Sequence, residues 1–277
     1  MPRLIINADD LGMNPPRSHG IFLCFEQGIV TSATLVCNGS DSDAAARHAR
    51  ERGLLTGIHL NLTDGTPLSA GRDVPTLISV EGNFMGRDGL AMVLDEGRVD
   101  PQHIEREVRA QIEWFLDHRG APTHLDSHHH IHIRPAIVPL LLPVLERYGI
   151  RLVRIPREDI PPFGYEVSPE RLQAISVHNE HAAAARPLFE SEGISSTQHF
   201  RGHCLTGLAS AKNLRHTLSR LPEGTTELMV HPGSPTPIGS DFDRDPQRQT
   251  ELRMLCDQSV RPLLTERKIE LCSYGDL

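Results

Sequence analysis

The sequence predicts an α/β chain built as a (β/α) barrel-like fold, distorted or incompletely closed, and three observations carry that expectation. Short apolar runs rich in β-formers alternate with helical patterns along the chain, no polar linker interrupts the alternation, and ligand-type polar residues stand where the runs end. Strands joined by crossover helices pair in parallel. With about seven or eight such units, a barrel is the economical arrangement and a doubly wound open sheet the alternative.

Leu4-Ile5-Ile6 reads as a buried strand, followed by a helix over 18–27 and a second strand over 31–36. An Ala/Arg-rich helix is expected over 42–52 and a third strand over 55–62. Residues 63–98 lose the pattern to Gly, Pro and Asp and predict a loop excursion. Helix returns over 103–118, where Ile104, Val108, Ile112 and Phe115 share one face. The remaining units are a strand over 122–133, a helix over 136–148, a strand over 151–155, a helix over 169–190 and a strand over 195–200. A helix over 209–221, a strand over 227–230, a helix over 246–266 and a strand over 269–272 complete one domain, 1–277.

Composition narrows the function. The chain has 277 residues, 38% hydrophobic, enough for a sizeable core. A formal net charge of -8 supplies no cationic field for nucleic acid or an anionic membrane. Two carboxylates within the first ten residues do not fit a signal peptide, and no apolar run approaches 18 residues. Five cysteines without a CxxC pair read as core thiols in a reducing cytoplasm. A homodimer is the base-rate expectation for a soluble enzyme of this kind.

The sixteen histidines are the anomaly, and they cluster. If the segment from His124 to His132 is extended, period-two alternation puts His124, Asp126, His128, His130 and His132 on one face. Burying five such groups is costly without a cation, water or mutual hydrogen bonds, and a divalent metal meets that cost. Other predicted strand ends carry Asn7-Ala8-Asp9-Asp10, His59 and His231-Pro232-Gly233, and the fifth strand leads to Arg154 and Arg157. Catalytic groups of a parallel barrel converge at those ends.

The segments Asn7 to Gly12, Gly57 to Thr63, Thr123 to His130 and His231-Pro232-Gly233, together with Gly28 to Leu35 and Ser273-Tyr274, resemble in order the motifs of the YdjC/ChbG-like carbohydrate deacetylases. That resemblance implies a barrel related to polysaccharide deacetylases, a divalent cation, and hydrolysis of the N-acetyl group of an amino sugar such as a chitooligosaccharide by attack of a metal-bound water. It implies Asp10, His59 and His128 as metal ligands, Asp9 as general base and His231 as general acid. Arg154 matches the family's basic position loosely. His124, Asp126, His130 and His132 are candidates for orienting ligands or contacting sugar.

The chemistry is consistent with these roles, because amide hydrolysis needs an activated water, a polarised carbonyl and a proton for the leaving amine. Asp9 and Asp10 would face opposite ways on a regular strand, so the base role requires a bend there. Two other readings remain open. A phosphoesterase or amidohydrolase-like enzyme would be favoured by a second ion held by His130 or His132 with Asp126. A metal-storage or sugar-sensing protein would leave Asp9 and His231 without a role. One carboxylate with two imidazoles suits zinc, while a solvated oxygen-rich site would take magnesium.

Overall fold

The computed structural model describes residues 1–159, 165–237 and 239–277. The order is β1 (Pro2–Leu11), α1 (Pro15–Glu26), β2 (Ser32–Leu35), α2 (Ser42–Arg52), β3 (Thr56–Leu60), α3 (Gly86–Asp95), α4 (Pro101–Arg119) and β4 (Leu125–Ser127). There follow α5 (Val138–Tyr148), α6 (Pro169–Ser191), β5 (His199–Arg201), α7 (Ala211–Leu218), β6 (Gly224–Val230), α8 (Asp241–Arg244), α9 (Gln247–Leu255), α10 (Val260–Glu266) and β7 (Glu270–Cys272). Helix starts are written in the sequence: Asn14, Asp100, Ser168 and Ser210 each accept a backbone N–H of the first turn, and Pro follows the first three caps.

All strand pairs are parallel, in the order β4-β3-β2-β1-β6-β5. β1 is central. β6 runs along one edge, while β7 covers Arg3 to Ile5 on the other edge and β2 takes over from Asn7. Leu4, Ile5 and Ile6 are fully buried. Beyond β4, single parallel bridges Leu125↔Val153 and Leu152↔Ser195 carry the sheet towards the segment leading to β5. The result is a barrel-like sheet whose last side is closed by isolated bridges. The expected α4 face is buried at Ile104, Val108, Ile112 and Phe115.

Four expectations need correction. The strand over 122–133 stops at Ser127, because His129 and His130 adopt left-handed conformations (φ 56° and 54°) that break the ladder, at about 1–2 kcal/mol per residue. The strand over 151–155 reduces to its two bridges, with Pro156 unable to donate a further ladder bond. The excursion contains α3 and an antiparallel bridge, Ile78↔Phe84. The expected helix over 246–266 is two helices, separated where the Asp257 carboxylate accepts the Ser259 N–H.

All five cysteines are free, four of them buried and Cys256 half-buried.

Candidate active site

The C-terminal ends of β1, β3, β4 and β6 open into a cleft of ≈ 780 Å³ that Asp9, Asp10, His59, His128 and His231 all line. Asp9 and Asp10 reach it together because β1 bends: Asp10 has φ 68°, and the register against β2 shifts between Ala8 and Leu11. This is the bend that the adjacent carboxylates require. Asp10 Oδ1 then stands 3.2 Å from His59 Nε2 and 2.9 Å from His128 Nδ1.

Each of these histidines meets a second carboxylate at its other nitrogen. His59 Nδ1 is 2.7 Å from Asp126 Oδ1, and His128 Nε2 is 3.0 Å from Asp64 Oδ2. Burial disfavours the imidazolium, but Asp126 and Asp10 outweigh it and raise His59 to about 10. The same contest, with Asp10 and Asp64 as the counter-charges, raises His128 to about 9. Burial opposes ionisation of Asp10, yet His128, His59 and Arg17 hold its carboxyl well below the usual range. The pocket therefore favours positive charge between Asp10 and the two rings.

Among the described residues, four sets of His, Asp and Glu have donor atoms close enough to gather an ion. Asp10, His59 and His128 fit best, because the set opens on the cleft and both imidazoles have a carboxylate to orient them. The set of Asp9, His59 and Asp126 is engaged by Arg154, as are two members of the set of His124, Asp126 and Glu227. Asp64, His128 and His129 form the remaining set, in which Thr63 Oγ1 lies 3.0 Å from His129 Nδ1.

Arg154 is fully buried and touches three carboxylates. Its Nη1 and Nη2 donate to Asp9 Oδ2 and Oδ1 at 2.6 and 2.7 Å, and Asn7 Nδ2 donates to Asp9 Oδ1 at 2.9 Å. Arg154 also donates to Glu227, from Nε at 2.8 Å and Nη2 at 2.6 Å, and lies 2.9 Å from Asp126. Burial raises the Asp9 pKa despite Arg154, with Asp126 adding to the rise. Arg154 thus acts under the cleft floor.

His231 faces the triad from β6, its Nε2 3.9 Å from Asp9 Oδ2. Its backbone N–H donates to Glu251 on α9 and its carbonyl accepts from Arg17 on α1. A Cβ on Gly20 would lie 2.5 Å from Gly233 Cα, so a glycine lets α1 approach this loop. Burial, reinforced by Arg248 and Arg17, keeps the His231 ring neutral.

The rest of the histidine segment separates. His124 lies below the site, stacked on Tyr274 at 3.4 Å between ring centroids. Burial lowers it to about 3. A Cβ at Gly57 would come within 2.5 Å of this ring. His132 is tied to Ser127 Oγ (2.6 Å) and the Arg154 carbonyl (2.9 Å). His130 turns to His178 and His203 on the far cleft wall. Only His124 and Asp126 keep the expected strand alternation, since the chain leaves the strand after Ser127. The donors named for a second ion, His130 or His132 with Asp126, do not converge.

Several site residues were outside the sequence reading. Arg17 joins Asp10 (3.5 Å), Asp243 (3.0 Å) and the His231 carbonyl. Glu227 stands fully buried in β6 between Thr226 and the apolar run Leu228 to Val230, a charge at the head of an apolar run that could have marked it. Asp64 follows the His59 motif directly, and nothing local distinguishes it from a loop aspartate.

A family model described as "YdjC-like protein" matches residues 3–266. A human protein named carbohydrate deacetylase is 35% identical, with 99% of this chain and 91% of that protein covered. The Geobacillus stearothermophilus protein of the same name is 35% identical, covering 100% and 98%. A chitooligosaccharide deacetylase of Salmonella paratyphi B is 32% identical over 99% of this chain and 98% of its own. A crystal structure from Enterococcus faecalis V583 shares the fold, with TM-score 0.76, 23% identity, and 99% and 98% coverage.

Proposed function

Because this chain belongs to the YdjC family, we propose that it is a metal-dependent carbohydrate deacetylase, hydrolysing the N-acetyl amide of an amino sugar or chitooligosaccharide to free amine and acetate. The relatives' names support the activity. The observation that carries the reading is the gathering of Asp10, His59 and His128 at an open cleft beside Asp9 and His231. A storage or sensing site needs neither Asp9 nor His231. A two-ion phosphoesterase loses the second donor set expected for it.

Asp10, His59 and His128 would hold one divalent ion, zinc or magnesium. Such an ion, when bound, supplies a Lewis acid that polarises the acetyl carbonyl and increases the acidity of water. Asp9 is the base: its carboxylate takes a proton from the attacking water while the water oxygen adds to the acetyl carbon. Arg154 and Asn7 hold Asp9 in place, and carboxylate oxygens with several lone pairs can accept from water as well. The carbon–nitrogen bond then breaks, and the nitrogen leaves as an amine after gaining a proton from His231. His231 is neutral before the reaction, so the proton it donates must first reach it. Asp9, at 3.9 Å, is the neighbour that has just acquired one. His130, His178 and His203 on the opposite wall are available to the sugar.

No helix among the described residues is long and apolar enough to cross a membrane. We assign the chain to the cytoplasm on its free thiols, and a homodimer is retained as the working assembly.

The test is to incubate metal-loaded protein with N-acetylglucosamine, diacetylchitobiose and longer oligomers and assay acetate. Release from at least one is expected. No release from any, together with cleavage of a phosphate ester, would select the phosphoesterase reading.

A further inference from the structure

We infer that Asp64 is a positioning residue for the ion, orienting His128 as a ligand and fastening the loop wall of the cleft to the metal site. The inference rests on the reading of Asp10, His59 and His128 as ligands. An imidazole that ligates through one nitrogen carries its proton on the other, and an acceptor there fixes both tautomer and ring orientation. His59 has that acceptor in buried Asp126. His128 has it in Asp64, whose Oδ2 is 3.0 Å from Nε2 while Nδ1 faces Asp10 at 2.9 Å. His128 also stands where the chain leaves β4 for two left-handed residues, so its strand alone does not dictate its direction.

Asp64 is itself held firmly. Its N–H donates to Asn61 Oδ1 at 3.0 Å, and its carbonyl accepts from Asn61 Nδ2 at 2.8 Å and Asn38 Nδ2 at 3.1 Å. The residues on either side fasten the start of the excursion to the turn that enters α3: the Thr63 carbonyl accepts from Gly86 N–H at 2.9 Å, and the Gly65 carbonyl from Phe84 N–H at 2.8 Å. Met85 and Arg87, at the start of α3, line the cleft. One carboxylate thus links the ligand His128 to the segment that walls the substrate cleft, and ordering one orders the other.

The experiment measures zinc affinity by competition with a chromophoric chelator for the wild type, Asp64→Ala, Asp64→Asn and His128→Ala. Hydrogen exchange of the segment 84–90 is followed with and without zinc. Asp64→Ala should bind zinc about 10- to 100-fold more weakly. Asp64→Asn should fall between, because its amide oxygen accepts the same proton. Zinc should slow exchange at Phe84 and Gly86 in the wild type and not in Asp64→Ala. Unfolding without metal checks the fold of each variant, and Asp64→Asn carries the comparison if the alanine variant does not fold. Wild-type affinity in both Asp64 variants, with zinc lost from His128→Ala, would overturn the inference. Equal zinc binding by the wild type and His128→Ala would instead overturn the ligand assignment beneath it, whereas acetate release by the wild type tests the activity separately.

Discussion

Asp9 and Asp10 are sequence neighbours with opposite electrostatic settings. Burial raises Asp9, whereas His128, His59 and Arg17 hold Asp10 ionised. A proton acceptor benefits from the first setting and a ligand from the second. Asp9→Asn is therefore expected to keep metal content and lose turnover by about 100-fold or more. Metal analysis beside the acetate assay checks this, and a variant lacking the ion would make Asp9 a ligand. The raised histidines give a pH signature in the metal-free protein. His59 and His128, at about 10 and about 9 against an ordinary 6.5, hold their protons more tightly folded than unfolded. Their stabilisation is full below about pH 6.5 and is lost as pH rises through the folded values. Thermal unfolding in chelator should show Tm falling over that window, more steeply than in His128→Gln; equal slopes would count against the assignment.

At the scale of elements, legibility followed locality. The β1 run and the apolar face of α4 depend on neighbouring residues, and both appear where the periodicity put them. The strand ends at Asp10, His59 and His231 were legible because parallel barrels gather such ends. Beyond Ser127 the histidine segment departs from the expected alternation, since alternation describes a strand only while the backbone stays extended. Nothing in His129 or His130 announces a left-handed conformation, which non-glycine residues adopt at a cost and here adopt where the chain reverses. Likewise, the bend at Asp10 was needed by the chemistry but not encoded in any local signal. The continuous helix expected over 246–266 failed because an Asp-centred turn interrupted an otherwise compatible pattern.

The whole molecule supplies what no segment contains. Arg154, between β4 and α6, meets Asp9 from β1, Asp126 from β4 and Glu227 from β6, contacts separated by as many as 145 residues. Such partners become visible only when the sheet curves. The register of β1 against β6, with Ala8 opposite Val230, sets His231 beside Asp9, and the scattered histidines resolve into candidate ligands, a cleft wall and buried packing. We propose that one divalent ion at Asp10, His59 and His128 makes this cleft a sugar deacetylase. The most direct test titrates zinc or magnesium into chelator-stripped protein while recording bound metal and acetate released from diacetylchitobiose. Activity should rise with the first bound equivalent and reach its plateau at one ion per chain. Full acetate release by the stripped protein, or a requirement for two ions, would contradict it.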